Sequence, residues 1–128
     1  MHEYPITKRI IEIAGEHAAK NGAKEVKVIH LVVGDYSGYV ASSIELYFDI
    51  IAQGSPCEKA KLNIERIVPK LKCNECGELF LRKPFSFECP NCKGEGGPTD
   101  IGKEFYIKSI EISGDNEGDN ELDYYEFT

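Results

Sequence analysis

The segment CNECGELFLRKPFSFECPNC places Cys73, Cys76, Cys89 and Cys92 in two C-x2-C pairs separated by twelve residues. Two intervening residues let both sulfurs of a pair face one ion from a tight knuckle, and Gly77 after the first pair frees the backbone to turn beneath it. Two such knuckles complete a tetrahedron of thiolates at about 2.3 Å from the metal, the closed arrangement of structural zinc. The separation is a little shorter than the usual ribbon range of about 15 to 20 residues, but a short hairpin spans it. Disulfides and an iron–sulfur cluster are the competing uses of these thiols. The chain opens without an export-signal pattern, and paired knuckles of this spacing are commoner in ribbons than in cluster proteins. With only Leu79, Phe80, Leu81, Phe85 and Phe87 as large apolar residues, the insert is too poor in core to fold by burial, so metal binding is expected to supply much of its folding free energy.

The segments on either side read as one small α/β (α+β) domain. Residues 5–21 predict a helix with Pro5 near its first position, a buried stripe of Ile6, Ile10, Ile13, Ala14 and Ala18, and a stop at Asn21-Gly22. EVKVIHLVVG predicts a strand largely covered on both faces. A second helix is expected from Ser42, with Ser42 and Glu45 as a capping box and Ile44, Tyr47, Phe48 and Ile51 at helical spacing. AKLNIERIV predicts a second strand with Ala60, Leu62 and Ile64 on one face and Pro69 as its stop, and EFYIKSIEI a third. The expected architecture is a small three-stranded sheet with two helices and a zinc-ribbon subdomain inserted between strands two and three. The expected division is an α/β domain of residues 1–69 and 101–113, a zinc-binding domain of 70–100, and an acidic, disordered tail of 114–128.

Charge separates the tail from the body. Asp115, Glu117, Asp119, Glu121, Asp123 and Glu126 face no Lys or Arg in the tail, whereas residues 1–113 carry 15 basic and 16 acidic side chains. A nearly neutral body gives no electrostatic footprint for a phosphate backbone, which disfavours nucleic-acid partners. No apolar run approaches the length of a membrane span, and the expectation is a cytoplasmic protein. Cys57 has no activating base near it in sequence and reads as a spare thiol, so no enzyme chemistry is expected. His17 and His30 read as structural, each with a ring nitrogen bonded to a neighbouring backbone group.

The opening MHE offers a second donor set. The α-amine of Met1, the amide and imidazole of His2, and the amide and carboxylate of Glu3 are consecutive donors able to chelate one ion in fused rings. Nitrogen-rich, planar-leaning sets suit Ni(II) or Cu(II) better than Mg(II) or Ca(II). The same residues also read as a solvated terminus.

MHEYPI at the start, VVGDYSG after the first strand, IERIVPKLKCNECG leading into the knuckles, FECPNC closing them and GKEFYIKSIEI at the end resemble, in this order, the hydrogenase maturation factor HypA/HybF family. The resemblance covers residues 1 to about 112. It implies a nickel metallochaperone that works with the GTPase HypB and helps insert nickel into the large subunit of [NiFe] hydrogenases. By that likeness His2 is the principal nickel ligand, Glu3 contributes, Met1 supplies its amine, and Cys73, Cys76, Cys89 and Cys92 hold zinc. Some relatives recruit a further histidine near the end of the zinc loop, where this chain has Pro98 and Thr99. The alternative is a zinc-ribbon adaptor that binds a protein partner and carries no second metal.

Overall fold

The computed structural model describes residues 3–113 and a two-residue strand at 125–126. Its elements run α1 (Glu3–Lys20), β1 (Val26–Gly34), α2 (Ala41–Ile51), β2 (Lys61–Ile67), β3 (Leu71–Cys73), β4 (Leu79–Phe80), β5 (Gly96–Gly97), β6 (Phe105–Ile112) and β7 (Tyr125–Glu126). Helix α1 starts two residues before the expected position and takes Pro5 into its first turn, where a missing N–H leaves no helical bond unmade. It ends as foreseen: Gly22 takes φ +71°, and the Ala23 N–H reaches back to the Ala18 carbonyl at 2.8 Å.

Strand β1 is the centre of a mixed sheet in the order β2-β1-β6-β7. It runs parallel to β2, with Val28 opposite Lys61 and Gly34 opposite Ile67, and antiparallel to β6, with Leu31 opposite Ile107. The parallel pair requires a crossover, and α2 supplies it. Ile29, Leu31 and Val33 point to the same side as Leu62, Ile64, Ile107 and Ile110, where Ile10, Ala14, Ile44 and Phe48 of the helices close the core. On α1 the stripe includes Ile11 and Thr7, which periodicity did not select, while Ile6 is only half-buried. Thr7 tolerates full burial because its hydroxyl donates to the Glu3 carbonyl one turn back.

Strand β1 was expected to be largely covered on both faces; on its second side Val32 is buried, while Val28 and His30 are half-buried beside exposed Asn63, Glu65 and Lys108. His30 is held there by side chains and not by the backbone partner expected for it. Asn63 Nδ2 lies 3.1 Å from His30 Nδ1, and His30 Nε2 lies 2.5 Å from Glu111 Oε2. An amide donor on Nδ1 leaves Nε2 as the protonated nitrogen facing the carboxylate.

The three expected strands of the sheet are all present. A fourth comes from the tail: β7 pairs with β6 through Tyr106 opposite Glu126 and Ile107 opposite Tyr125. The disorder expected for residues 114–128 otherwise falls outside the described residues.

The cysteine lobe leaves the sheet after β2 and returns to it at β6, and three chain segments meet at that neck. The Gly34 N–H donates to the Glu104 carbonyl, Asp35 N–H to Ile67, and Tyr36 N–H to Gly102. Gly34 sits so close to this crossing that a Cβ there would fall 2.1 Å from the Gly102 carbonyl oxygen. Gly34→Ala should therefore force the neck apart and cost about 1 to 3 kcal/mol. Urea unfolding of the metal-loaded protein would measure it.

Candidate metal sites

The two knuckles are built alike. In the first, the Gly77 N–H bonds the Cys73 carbonyl at 3.1 Å and the Cys73 N–H bonds Glu78; in the second, the Lys93 N–H bonds Cys89 at 2.9 Å and the Cys89 N–H bonds Gly94. The turn residue after each second cysteine is left-handed, with φ +77° at Gly77 and +64° at Lys93. Lysine at that position carries the Cβ strain that glycine avoids in the first knuckle.

Short strands β3, β4 and β5 bring the knuckles together, and Leu71 and Phe80 pack beside the buried Cys73 and Cys89. The four sulfurs all lie within 4.8 Å of one another. Cys73 Sγ is 3.3 Å from Cys92 Sγ, and Cys76 Sγ is 3.7 Å from Cys89 Sγ. A tetrahedron with metal–sulfur bonds of about 2.3 Å has edges of about 3.8 Å, so the cluster fits a zinc site.

Backbone amides are aimed at the sulfurs. The Cys76 and Glu75 N–H groups reach Cys73 Sγ at 3.4 Å each, and hold its thiol down to about 6. Cys92 Sγ accepts from the Gly94 N–H, which favours its thiolate, but the neighbouring Cys73 and Cys76 sulfurs oppose a further negative charge and push it up to about 12. Four sulfurs packed this closely become four thiolates only around a cation. Asn91 Nδ2, 3.9 Å from Cys76 Sγ, adds a side-chain donor that the C-x2-C spacing did not reveal.

Cys57 stands apart. It is fully buried under α1, its Sγ is 3.8 Å from the Ile11 carbonyl, and burial pushes its thiol up to about 11.

Of the residues expected to take the second metal, Met1 and His2 lie outside the described residues. Glu3 opens α1, and it is buried, with 4% of its surface exposed. Its Oε2 accepts the Val40 N–H at 3.0 Å. That bond corrects the expected capping of α2. The helix begins at Ala41 with Val40 as its N-cap, no side chain of Val40 caps it, and the Ser of the expected Ser42–Glu45 box lies two residues past the cap, inside the first turn. A backbone N–H leaves no trace in a sequence, so this partner of Glu3 had no signal to betray it. Tyr4, next in α1, stacks edge-on against Tyr47 of α2 with ring centres 5.4 Å apart, so the helix starts are joined at two consecutive residues.

An α/β lobe with a four-thiolate arm defines a metal-binding protein of two lobes. Residues 1–112 match the family model described as "Hydrogenase/urease nickel incorporation, metallochaperone, hypA". A hydrogenase maturation factor HypA of Caldanaerobacter subterraneus subsp. tengcongensis is 38% identical over 113 residues, covering 88% of this chain and 99% of that protein. One from Dehalococcoides mccartyi is 32% identical over 117 residues, covering 91% and 98%. The solution structure of the Ni metallochaperone HypA from Helicobacter pylori superposes with a TM-score of 0.57 at 27% identity, covering 88% of this chain and 97% of that one. Another HypA solution structure gives 0.61 at the same identity and coverage. The chain belongs to the HypA family of nickel-incorporation metallochaperones for hydrogenase maturation. Among the described residues no helix is long and apolar enough to cross a membrane.

Thiol chemistry separates the cluster from Cys57. In the zinc-loaded protein at pH 8 iodoacetamide should label none of the five cysteines quickly. After chelation four should react while Cys57 stays unmodified until the fold is lost, as intact-mass counting of adducts would show.

Proposed function

We propose that this protein binds Ni(II) at its N-terminus and delivers it to the large subunit of a [NiFe] hydrogenase, acting with a HypB-type GTPase. Zinc in the Cys73, Cys76, Cys89 and Cys92 site is structural and stays with the protein. The observation that supports the reading most is the match to a nickel-incorporation family over residues 1–112, a span that includes the opening Met-His-Glu.

In this reading His2 gives its imidazole and amide, Met1 its amine, and Glu3 completes the set. The division of 1–69 with 101–113 as nickel domain and 70–100 as zinc domain follows from it. A nitrogen-rich chelate selects Ni(II) by geometry and strength, yet has no sulfur to hold it permanently. Thiolates of a recipient replace the nitrogens one at a time, so the ion passes on without going free into solution. The chain is a carrier and not a catalyst, and its place of work is the cytoplasm, where the hydrogenase subunit is assembled.

Titration of zinc-loaded protein with Ni(II) tests the site. His2→Ala should weaken binding at least tenfold, about 1.4 kcal/mol or more, with zinc content unchanged. Equal affinity in both proteins would leave a zinc-ribbon adaptor as the better description. Residues added before Met1, or acetylation of its amine, should weaken nickel in the same way while the unfolding midpoint stays put.

Affinity should also fall steeply below about pH 6.5, where imidazole protonates. Binding that stays flat down to pH 5 would remove His2 from the ligand set.

A further inference from the structure

Beside the neck lies a groove whose walls come from both lobes. Asp35, Tyr36, Val68 and Pro69 line it from the ends of β1 and β2, and Leu81 to Phe85 line it from the loop after β4, around a volume of about 610 Å³. We infer that this groove docks an acidic segment of a partner protein, which sets aromatic or aliphatic side chains against its apolar lining and carboxylates against Arg82 and Lys83.

Phe85 points to a ligand. In the turn Lys83–Ser86 the Ser86 N–H donates to the Lys83 carbonyl at 3.2 Å, Pro84 takes the second position, and Phe85 takes φ +62° at the third. A left-handed third position after proline is that of a type II turn, where glycine is the usual residue. Phenylalanine bears Cβ strain there, and the same residue stands wholly in solvent, with an exposure of 101%. Neither cost serves the packing of its own lobe, whose buried cluster is Leu71, Phe80 and two of the cysteines. Both are accounted for by a ring that meets something outside the chain. Tyr36, Val68 and Leu81, exposed to 64%, 49% and 56%, line the same groove, so the ring belongs to an apolar patch and does not stand alone.

Charge selects the occupant. Among the described residues neither Arg82 nor Lys83 meets a carboxylate. Arg82 is held with its guanidinium 4.4 Å from the centre of the Phe87 ring, a contact that steadies the cation without neutralising it. The single acid of the groove, Asp35, is already engaged by Arg66 at 2.9 Å. On a chain of net charge −7 this leaves two uncompensated cations beside an apolar lining, the complement of carboxylates flanking apolar side chains. Two cations are too few for a phosphate backbone. A concave wall that includes Asp35 also has the wrong shape and charge for a flat anionic bilayer.

Panning a phage-displayed library of random peptides on the zinc-loaded full-length protein, with the Phe85→Gly protein as counter-target, tests the groove. Enriched peptides should place acidic residues beside aromatic or aliphatic ones. Fluorescence anisotropy with the most enriched peptide, labelled with fluorescein, should show binding at least tenfold weaker to Phe85→Gly and to the double variant Arg82→Glu/Lys83→Glu. Binding should be unchanged in Lys59→Glu, an exposed charge outside the groove, and should weaken for wild type as salt is added. Phe85→Gly should keep its zinc and unfold at no lower urea concentration, because glycine relieves the turn, so its lost binding is not lost fold. The proposal is overturned if no peptide is enriched over Phe85→Gly, or if the enriched peptides are basic or lack apolar residues. Self-association of wild type in sedimentation velocity that Phe85→Gly abolishes would also overturn it, by making a second copy the occupant. Phe85-dependent binding to phosphatidylserine vesicles would overturn it by making the patch a membrane contact.

Discussion

The meeting of Gly34 with Gly102 fastens this molecule. Strand β1 ends there, the cysteine lobe departs from β2 and re-enters β6 there, and backbone bonds from residues 34–36 stitch all three passages together. The contact works only because position 34 lacks a Cβ. Each lobe then rests on its own cohesive force. The α/β lobe has a continuous apolar core from helices to sheet, whereas the other lobe has little beyond Leu71 and Phe80 around its sulfurs. The small lobe relies on metal coordination where the large one relies on removing apolar surface from water.

The sulfur cluster and the nitrogen chelate proposed at the N-terminus differ in donor chemistry. Sulfur in a rigid cage with N–H groups pointed at it, as at Cys73 and Cys92, suits an ion that never leaves. The terminal nitrogen chelate proposed for Ni(II) would suit an ion in transit.

Much of this was legible in the residues because the signals are local. The knuckles announce themselves by spacing, β2 by alternation through Leu62 and Ile64, and the end of α1 by Asn21-Gly22. What escaped was long-range pairing. The Glu3 to Val40 bond joins a side chain to a backbone N–H, and no residue type marks that partner. The displaced α2 start has the same origin: Ser42 and Glu45 satisfy a local pattern, but a carboxylate from another helix serves the N-cap instead. His30 read as a residue bonded to backbone because its neighbours Asn63 and Glu111 are 33 and 81 residues away in the chain. Strand β7, paired to β6, was hidden because a charged, repetitive segment carries no period-2 signature.

Cys57 acquires a meaning from what surrounds it. In the proposed hand-over thiolates displace nitrogens from Ni(II), so a reachable fifth thiolate would compete with the recipient for the ion. Packed beneath α1, that sulfur has neither a path to solvent nor an ionised form at neutral pH. A chain whose task is to let go of its cargo thus keeps its one unassigned thiol out of circulation.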